Sequence, residues 1–412
     1  MSKFLHEPYL SPQALSNLRY YKYSSVDLSP VSKYVMVHWW NAAAKPFPSW
    51  MAPNLITLTG FAFILINIAT LAAYAPDLIG PGPSWVYLTF SLGLFLYQTF
   101  DNVDGRQARK TGTSSALGHI FDHTIDSLNC ALGGILQAAS LSLGNSPMSV
   151  MAMMVSCAAM WFSTWEEYHT GTLFLGYFNG PTEGILIACV IHLISGIYGP
   201  KIWLTPIHTL PPFRWAPSSV RLNDCVIYIA LFSFAFIHVP GCLMNVHKLR
   251  RSKSLRFRLT LIQHIPFLIF STGVFSWVLS PHSSLLTSTS ERSRGLINLK
   301  FAILITFSFG KLGPRVILAH LTHSSFPRFN FGAFAPLTIG ALYVNLASVI
   351  GYKTNAKVEG LILNAGILIS MLAFLYWAIT LCREFCKTLD IWCLTIKPKP
   401  KSATNGIIVK PN

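Results

Sequence analysis

Apolar residues run along this chain in blocks about one membrane thickness long. A helix needs roughly 20 mainly apolar residues to cross about 30 Å of hydrocarbon. Ten stretches reach or approach that length: 52–74, 84–101, 116–142, 147–168, 183–198, 222–246, 257–280, 297–321, 332–351 and 359–382, the fifth being short. None shows the alternation expected of a transmembrane β-strand. The pattern predicts an all-α, polytopic membrane protein with about ten transmembrane helices. Lys311, Gly313, Pro314 and Arg315 interrupt the eighth block. Cations there need a cavity, a carboxylate or lipid phosphate, and the pattern does not choose among them.

Four segments follow. Residues 1–50 form a cytosolic amino-terminal segment; no charged n-region leads into an apolar run, so no cleavable signal peptide is expected. Within it VSKYVMVHWWNAAAKPFP (31–48) mixes lysine with Trp39 and Trp40, which suits an amphipathic helix in the headgroup plane or an ordinary docked helix. Residues 51–246 hold the helices that carry the chemistry, 247–385 are carboxy-terminal transmembrane helices serving as scaffold or dimer contacts, and 386–412 are a cytosolic tail. Its end, KPKPKSATNGIIVKPN, has the composition of a disordered segment.

Composition sharpens this picture. The chain is 52% hydrophobic and only 11% charged, against about 25% charged in a typical soluble domain. With ten spans both termini share one side, whose loops and ends hold 21 lysines and arginines against seven opposite. That bias places the termini and the loop near 102–116 in the cytosol. The net charge of +16 is scattered over short loops such as HKLRRSKSLRFR (247–258), which fits membrane lipids of anionic charge and argues against nucleic acid. Most of the eight cysteines sit in the apolar blocks with no zinc or disulfide spacing, and read as small packing residues. Cys382 and Cys386 are either packing residues or palmitoylation targets.

Acids are scarce, yet seven of the 15 lie between 101 and 183. In DNVDGRQARKTGTSSALGHIFDHTIDS (101–127), Asp101 and Asp104 are three apart, and Asp122 and Asp126 four apart. Each pair shares a helix face, so two opposed faces would aim four carboxylates at one point. Bare carboxylates so close repel, and divalent cations relieve this. Oxygen-only ligands suit Mg2+ or Mn2+, and two ions about 3.5–4 Å apart could clamp a displacement at phosphorus. Gly105, Ala108 and Gly118 leave room for phosphate or sugar, while Arg109 offers a bidentate fork for phosphate oxygens. An Asp–Arg ion-pair network is the plainer alternative.

The spacing D-x2-D-G-x2-A-R-x8-G-x3-D-x3-D is matched by Asp101, Asp104, Gly105, Ala108, Arg109, Gly118, Asp122 and Asp126. It resembles the signature of the CDP-alcohol phosphatidyltransferases. Length and four stretches, WMAPNLITLTGF (50–61), LYQTFDNVDGRQARKTG (96–112), FDHTIDS (121–127) and STWEEYHTGTLFLGYFNGPTEG (163–184), are similar to the eukaryotic choline/ethanolamine phosphotransferases. The resemblance implies transfer of phosphocholine or phosphoethanolamine from CDP-choline or CDP-ethanolamine to diacylglycerol, releasing CMP. It implies two divalent ions on the four aspartates, Arg109 on the donor phosphates and His123 as general base, with Asp126 second in line. It also implies a homodimer in the endoplasmic reticulum or Golgi, with its active site facing the cytosol. Asn54 is either a donor contact, as the resemblance implies, or a helix N-cap. His119 departs from the pattern, standing where relatives tend to carry glutamate.

Glu167 with Trp165 and Tyr168 suggests a pocket for the quaternary or primary ammonium of the headgroup by cation–π attraction, although interfacial aromatics are common at membrane boundaries. Two other functions compete. One is a different CDP-alcohol chemistry, with inositol, serine or glycerophosphate as acceptor. The other is a cation transporter, which would place acids at mid-membrane within internal repeats that this sequence lacks.

Overall fold

The computed structural model describes residues 9–178, 180–286, 291–327, 331–351 and 353–398. All ten apolar blocks are helical. They are α1 (Pro53–Tyr74), α2 (Ser84–Thr111), α3 (Ala116–Ser140), α4 (Pro147–Thr170), α5 (Gly180–Tyr198), α6 (Leu222–Ser252), α7 (Arg258–Val278), α8 (Glu291–Leu312 and Pro314–Leu321), α9 (Phe331–Val349) and α10 (Ala356–Leu389). Seven, all but α2, α3 and α9, are long and apolar enough to cross a membrane. The chain is an all-α polytopic membrane protein.

α2 and α3, which carry the aspartates and many other polar residues, fall short, and the fold lodges them among other helices. α2 lies between α1 and α5, and α3 packs on α4, α8 and α1. Polar side chains on such helices face protein rather than lipid, which is where intramembrane ionisable groups are tolerated. α6 is the opposite case. Only 11% of its apolar window is buried, with Ile229, Phe232 and Phe236 exposed as a lipid-facing helix requires.

The interruption expected in α8 is real. Gly313 separates the two pieces and Pro314, lacking an N–H, opens the second. Gly313 lies against α3, where an added Cβ would come 3.1 Å from Ser127 Oγ. At the opposite end of the bundle, Glu359 in the first turn of α10 is buried but fully served. It accepts hydrogen bonds from Trp277 Nε1 at 2.8 Å, Ser283 Oγ at 2.7 Å and the Ser284 backbone N–H at 2.7 Å. A buried carboxylate needs such donors to remain there.

Both chain ends fold back onto the same end of the bundle. A two-stranded parallel sheet pairs Ser25–Asp27 with Leu173–Leu175, in register Ser25 to Leu173. Ser29 Oγ donates to Glu183, and the Ser32 and Thr182 hydroxyls meet at 3.0 Å. A π-turn at Ser32–Met36 leads into a helix at Val37–Ala43. This helix docks on α2: Trp39 Nε1 donates to Thr99 Oγ1 at 3.0 Å, and buried Trp40 lies under the Arg106 guanidinium at 5.0 Å. Tyr34 and Val35 point outward and are exposed. At the other terminus α10 runs on to Leu389, past the expected end at 382. The chain then returns so that Thr395 bridges Met51 at the mouth of α1. The Tyr9 and Leu10 N–H groups donate to Glu384. Most of the segment expected to be disordered, 399–412, lies outside the described residues.

The seam between α3 and α4 is tight. A Cβ at Gly134 would stand 2.5 Å from Met153 Cα, whereas one at the adjacent Gly133 would meet only Asn129 Oδ1 at 3.8 Å. Gly134→Ala should therefore destabilise the detergent-solubilised protein by about 1–3 kcal/mol through overpacking. Gly133→Ala should stabilise it by about 0.5–1 kcal/mol, the usual helix-interior gain. Thermal unfolding followed by tryptophan fluorescence reads both.

Candidate active site

α2 and α3 form an antiparallel corner whose loop is closed by local chemistry. Gly112 adopts the left-handed conformation at φ 66°, and the Thr113 N–H returns to the Ala108 carbonyl at 2.9 Å. Ser115 then caps α3, its Oγ accepting from the Gly118 N–H at 3.2 Å. The acidic end of each helix is thereby set beside the other. Asp101, Asp122 and Asp126 each bring one oxygen into a group within 4.8 Å of one another.

Asp101 Oδ1 and Asp122 Oδ1 are buried with no hydrogen-bond donor among the described residues. Oxygens of the two carboxylates lie within 4.8 Å of each other, and acceptors so close need a proton or a cation between them. An all-oxygen set with orphaned, desolvated atoms fits a hard divalent cation. Hydroxyls serve other positions: Tyr97 donates to Asp126, and Thr57 of α1 donates to Asp104.

The expected meeting of four carboxylates is met by three. Asp104 is one step round α2 from Asp101 and turns to Thr57 instead of joining the group. Asn54 is not a helix cap, because Ala52 holds that position and Pro53 takes the first turn. The Asn54 amide is buried, donates to the Cys393 carbonyl at 3.0 Å, and turns its Oδ1 towards Gly118. Arg109 is exposed, with its guanidinium over Gly105; Ala108 and Gly118 are half-buried, Gly118 lying against Asn54.

His123 is buried on α3, and its Nε2 lies 3.1 Å from Glu167 Oε2 on α4. Its Nδ1 has no hydrogen-bond partner among the described residues and stands 3.9 Å from Asp122 Oδ2. A carboxylate on Nε2 holds the ring proton there, which leaves the Nδ1 lone pair facing the aspartates. His119, one turn earlier, places Nε2 3.0 Å from Glu167 Oε1, and its Nδ1 meets the Tyr21 hydroxyl at 2.6 Å. Tyr23 sets its ring edge-on to His119 at 5.7 Å. Burial pushes the Tyr21 phenol up, so it stays neutral near these acids.

Trp165 and Tyr168 do not converge with Glu167. Two positions along a helix is about half a turn, so Trp165 faces away from it. Its Nε1 donates to Gln263 Oε1 at 2.9 Å and its ring packs on His264 at 4.6 Å. Tyr168 donates to the Ser324 carbonyl at 3.1 Å. The pocket expected from these three residues is two separate clusters. Sequence reading missed Thr57, Tyr97, Tyr21 and Tyr23. Only Tyr97 carried a signal, lying four residues before Asp101 and so on its face.

Comparison with known proteins identifies the class. A profile of the CDP-alcohol phosphatidyltransferase family matches residues 50–210. Choline/ethanolaminephosphotransferase 1 of Saccharomyces cerevisiae is 35% identical over 93% of this chain and 96% of that protein. Choline/ethanolaminephosphotransferase 1 of Arabidopsis thaliana is 34% identical over 95% of this chain and 99% of its own length. Ethanolaminephosphotransferase 1 of Mus musculus is 26% identical over 97% of both. The chain belongs to the CDP-alcohol phosphatidyltransferase family, a family of transferases.

Cys393 sits at this mouth with its thiol lowered to about 7, chiefly by the hydrogen bond from Cys382 and against the upward push of burial. Its thiolate fraction rises as pH passes through that value. Alkylation by iodoacetamide should accelerate only about tenfold from pH 6 to pH 8, against several tens of fold at an ordinary cysteine, because much of the thiolate has already formed by pH 7. Mass spectrometry of the labelled peptide checks this.

Proposed function

We propose that this protein transfers phosphocholine or phosphoethanolamine from CDP-choline or CDP-ethanolamine to diacylglycerol, giving phosphatidylcholine or phosphatidylethanolamine and CMP. The observation that carries this reading is the convergence of Asp101, Asp122 and Asp126 with two buried, unpartnered oxygens. The names of the relatives supply the choline or ethanolamine headgroup, and the family resemblance supplies the CDP-linked donor and diacylglycerol. Mg2+ or Mn2+, as two ions on Asp101, Asp104, Asp122 and Asp126, would neutralise charge on the pyrophosphate when bound.

The remaining work falls to the chain itself. Arg109, exposed with its guanidinium over Gly105, would fork onto donor phosphate oxygens, with Ala108 and Gly118 leaving room for the donor. Asn54 holds the mouth of α1 against Gly118 and the returning tail. The diacylglycerol hydroxyl attacks the phosphorus bearing the aminoalcohol, and the anhydride bond to CMP breaks. His123 Nδ1, held free by Glu167 on Nε2, takes the hydroxyl proton; Asp126, bound by Tyr97, is the second candidate. Positioning dominates, since phosphoryl transfer asks little covalent chemistry of the protein. The excess of basic residues in the loops on this side supports a site facing the cytosol, and the family resemblance supports an endoplasmic reticulum or Golgi membrane. There a soluble donor and a bilayer-borne acceptor can meet. A homodimer completes the reading, with the carboxy-terminal helices as scaffold or dimer contacts.

Purified protein given labelled CDP-choline or CDP-ethanolamine, diacylglycerol and Mg2+ should form labelled phospholipid and CMP, lose the activity to EDTA and regain it with Mg2+. Asp101→Asn should cut turnover at least about a hundredfold, and His123→Ala by about 10²–10⁴. Full activity in Asp101→Asn, or product only with inositol, serine or glycerophosphate as substrate, overturns the assignment.

A further inference from the structure

We infer a second metal site, separate from the carboxylate cluster, in which His119, His123 and Glu167 bind a borderline divalent ion such as Zn2+. The three groups each offer one ligand atom, all within 4.8 Å of one another, and all three residues are buried. His119 and His123 are four apart on α3, so one helix face presents both imidazoles, with ring centroids 4.5 Å apart. Glu167 reaches across from α4 and sets its two oxygens 3.0 and 3.1 Å from the two Nε2 atoms. Ligands about 2.0–2.2 Å from one ion, at angles between square and tetrahedral, stand about 3.0–3.4 Å apart. The N–O separations already have that edge length.

A second observation points the same way. His119 Nε2 is buried and, though near Glu167, out of line for a hydrogen bond and without another partner among the described residues. On the other side of that ring, the Tyr21 hydroxyl at 2.6 Å from Nδ1 is the outer contact that orients a ligating histidine. Chemistry sorts the two sites. Two imidazoles and one carboxylate suit zinc and leave a coordination position for water, whereas Mg2+ prefers the all-oxygen aspartate group. Entry is from the aspartate side, where the Asp122 side chain keeps 31% of its surface exposed.

Occupancy switches the base off. Coordination uses the Nε2 lone pair of His123, so the single proton of the neutral ring moves to Nδ1, which then donates instead of accepting. This consequence rests on His123 being the base; the site itself does not.

Cobalt(II) makes the site visible. Full-length protein in detergent with saturating Mg2+ should develop, at one equivalent of Co2+, the visible bands of a low-coordinate cobalt centre, and Zn2+ should erase them. His119→Gln should lose the bands and raise the Zn2+ concentration that half-inhibits transfer by at least about tenfold, relative to its own uninhibited rate. His119→Cys, which keeps a zinc ligand, should retain the bands with a shifted spectrum. Absence of bands in the wild-type protein, or their persistence in His119→Gln, overturns the site. Bands that depend on His119 without inhibition leave the site standing and overturn the role of His123.

Discussion

Three carboxylates held within 4.8 Å of one another at a corner of a membrane protein constrain everything around them. Two unit charges 4 Å apart repel by about 4 kcal/mol at an effective dielectric of 20. Side chains stay in such a place only when the backbone carrying them cannot retreat. Here the backbone is fixed on several sides. α1 and α5 flank α2, α4 and α8 flank α3, and the approach of Gly134 to Met153 admits no extra atom. The hydroxyls of Thr57 and Tyr97 remove part of the charge by donating to Asp104 and Asp126. A divalent cation would remove the rest when bound, in keeping with the orphaned oxygens of Asp101 and Asp122 at the centre.

The histidine–glutamate group beside that centre solves a different problem. A buried carboxylate such as Glu167 needs donors; the His119 ring stands 3.0 Å from one oxygen without a hydrogen bond to it, and His123 Nε2 meets the other at 3.1 Å. The same contact selects which nitrogen of His123 faces the aspartates. An acid on α4 therefore controls the chemistry available on α3, across the seam whose closeness the small residue Gly134 permits.

Described segments on either side of the matched stretch 50–210 close over this corner. The amino-terminal strand brings Tyr21 and Tyr23 to His119, and the returning tail brings Cys393 to Asn54. The relatives align over nearly the whole chain, in keeping with ends that belong to the structural unit.

Hydrophobic blocks set by bilayer thickness determined the helices, because a chain in hydrocarbon has few other ways to satisfy its backbone. Periodicity likewise determined which acids share a face, and motif spacing named the class. Tertiary structure decided what periodicity leaves free. It turned Asp104 towards Thr57, sent Trp165 to Gln263 rather than to Glu167, and took Asn54 from capping to the tail. Helical spacing gives an angle about one axis only. Which neighbour fills that direction depends on how helices far apart in the chain rotate and cross, and on short polar contacts formed after they meet.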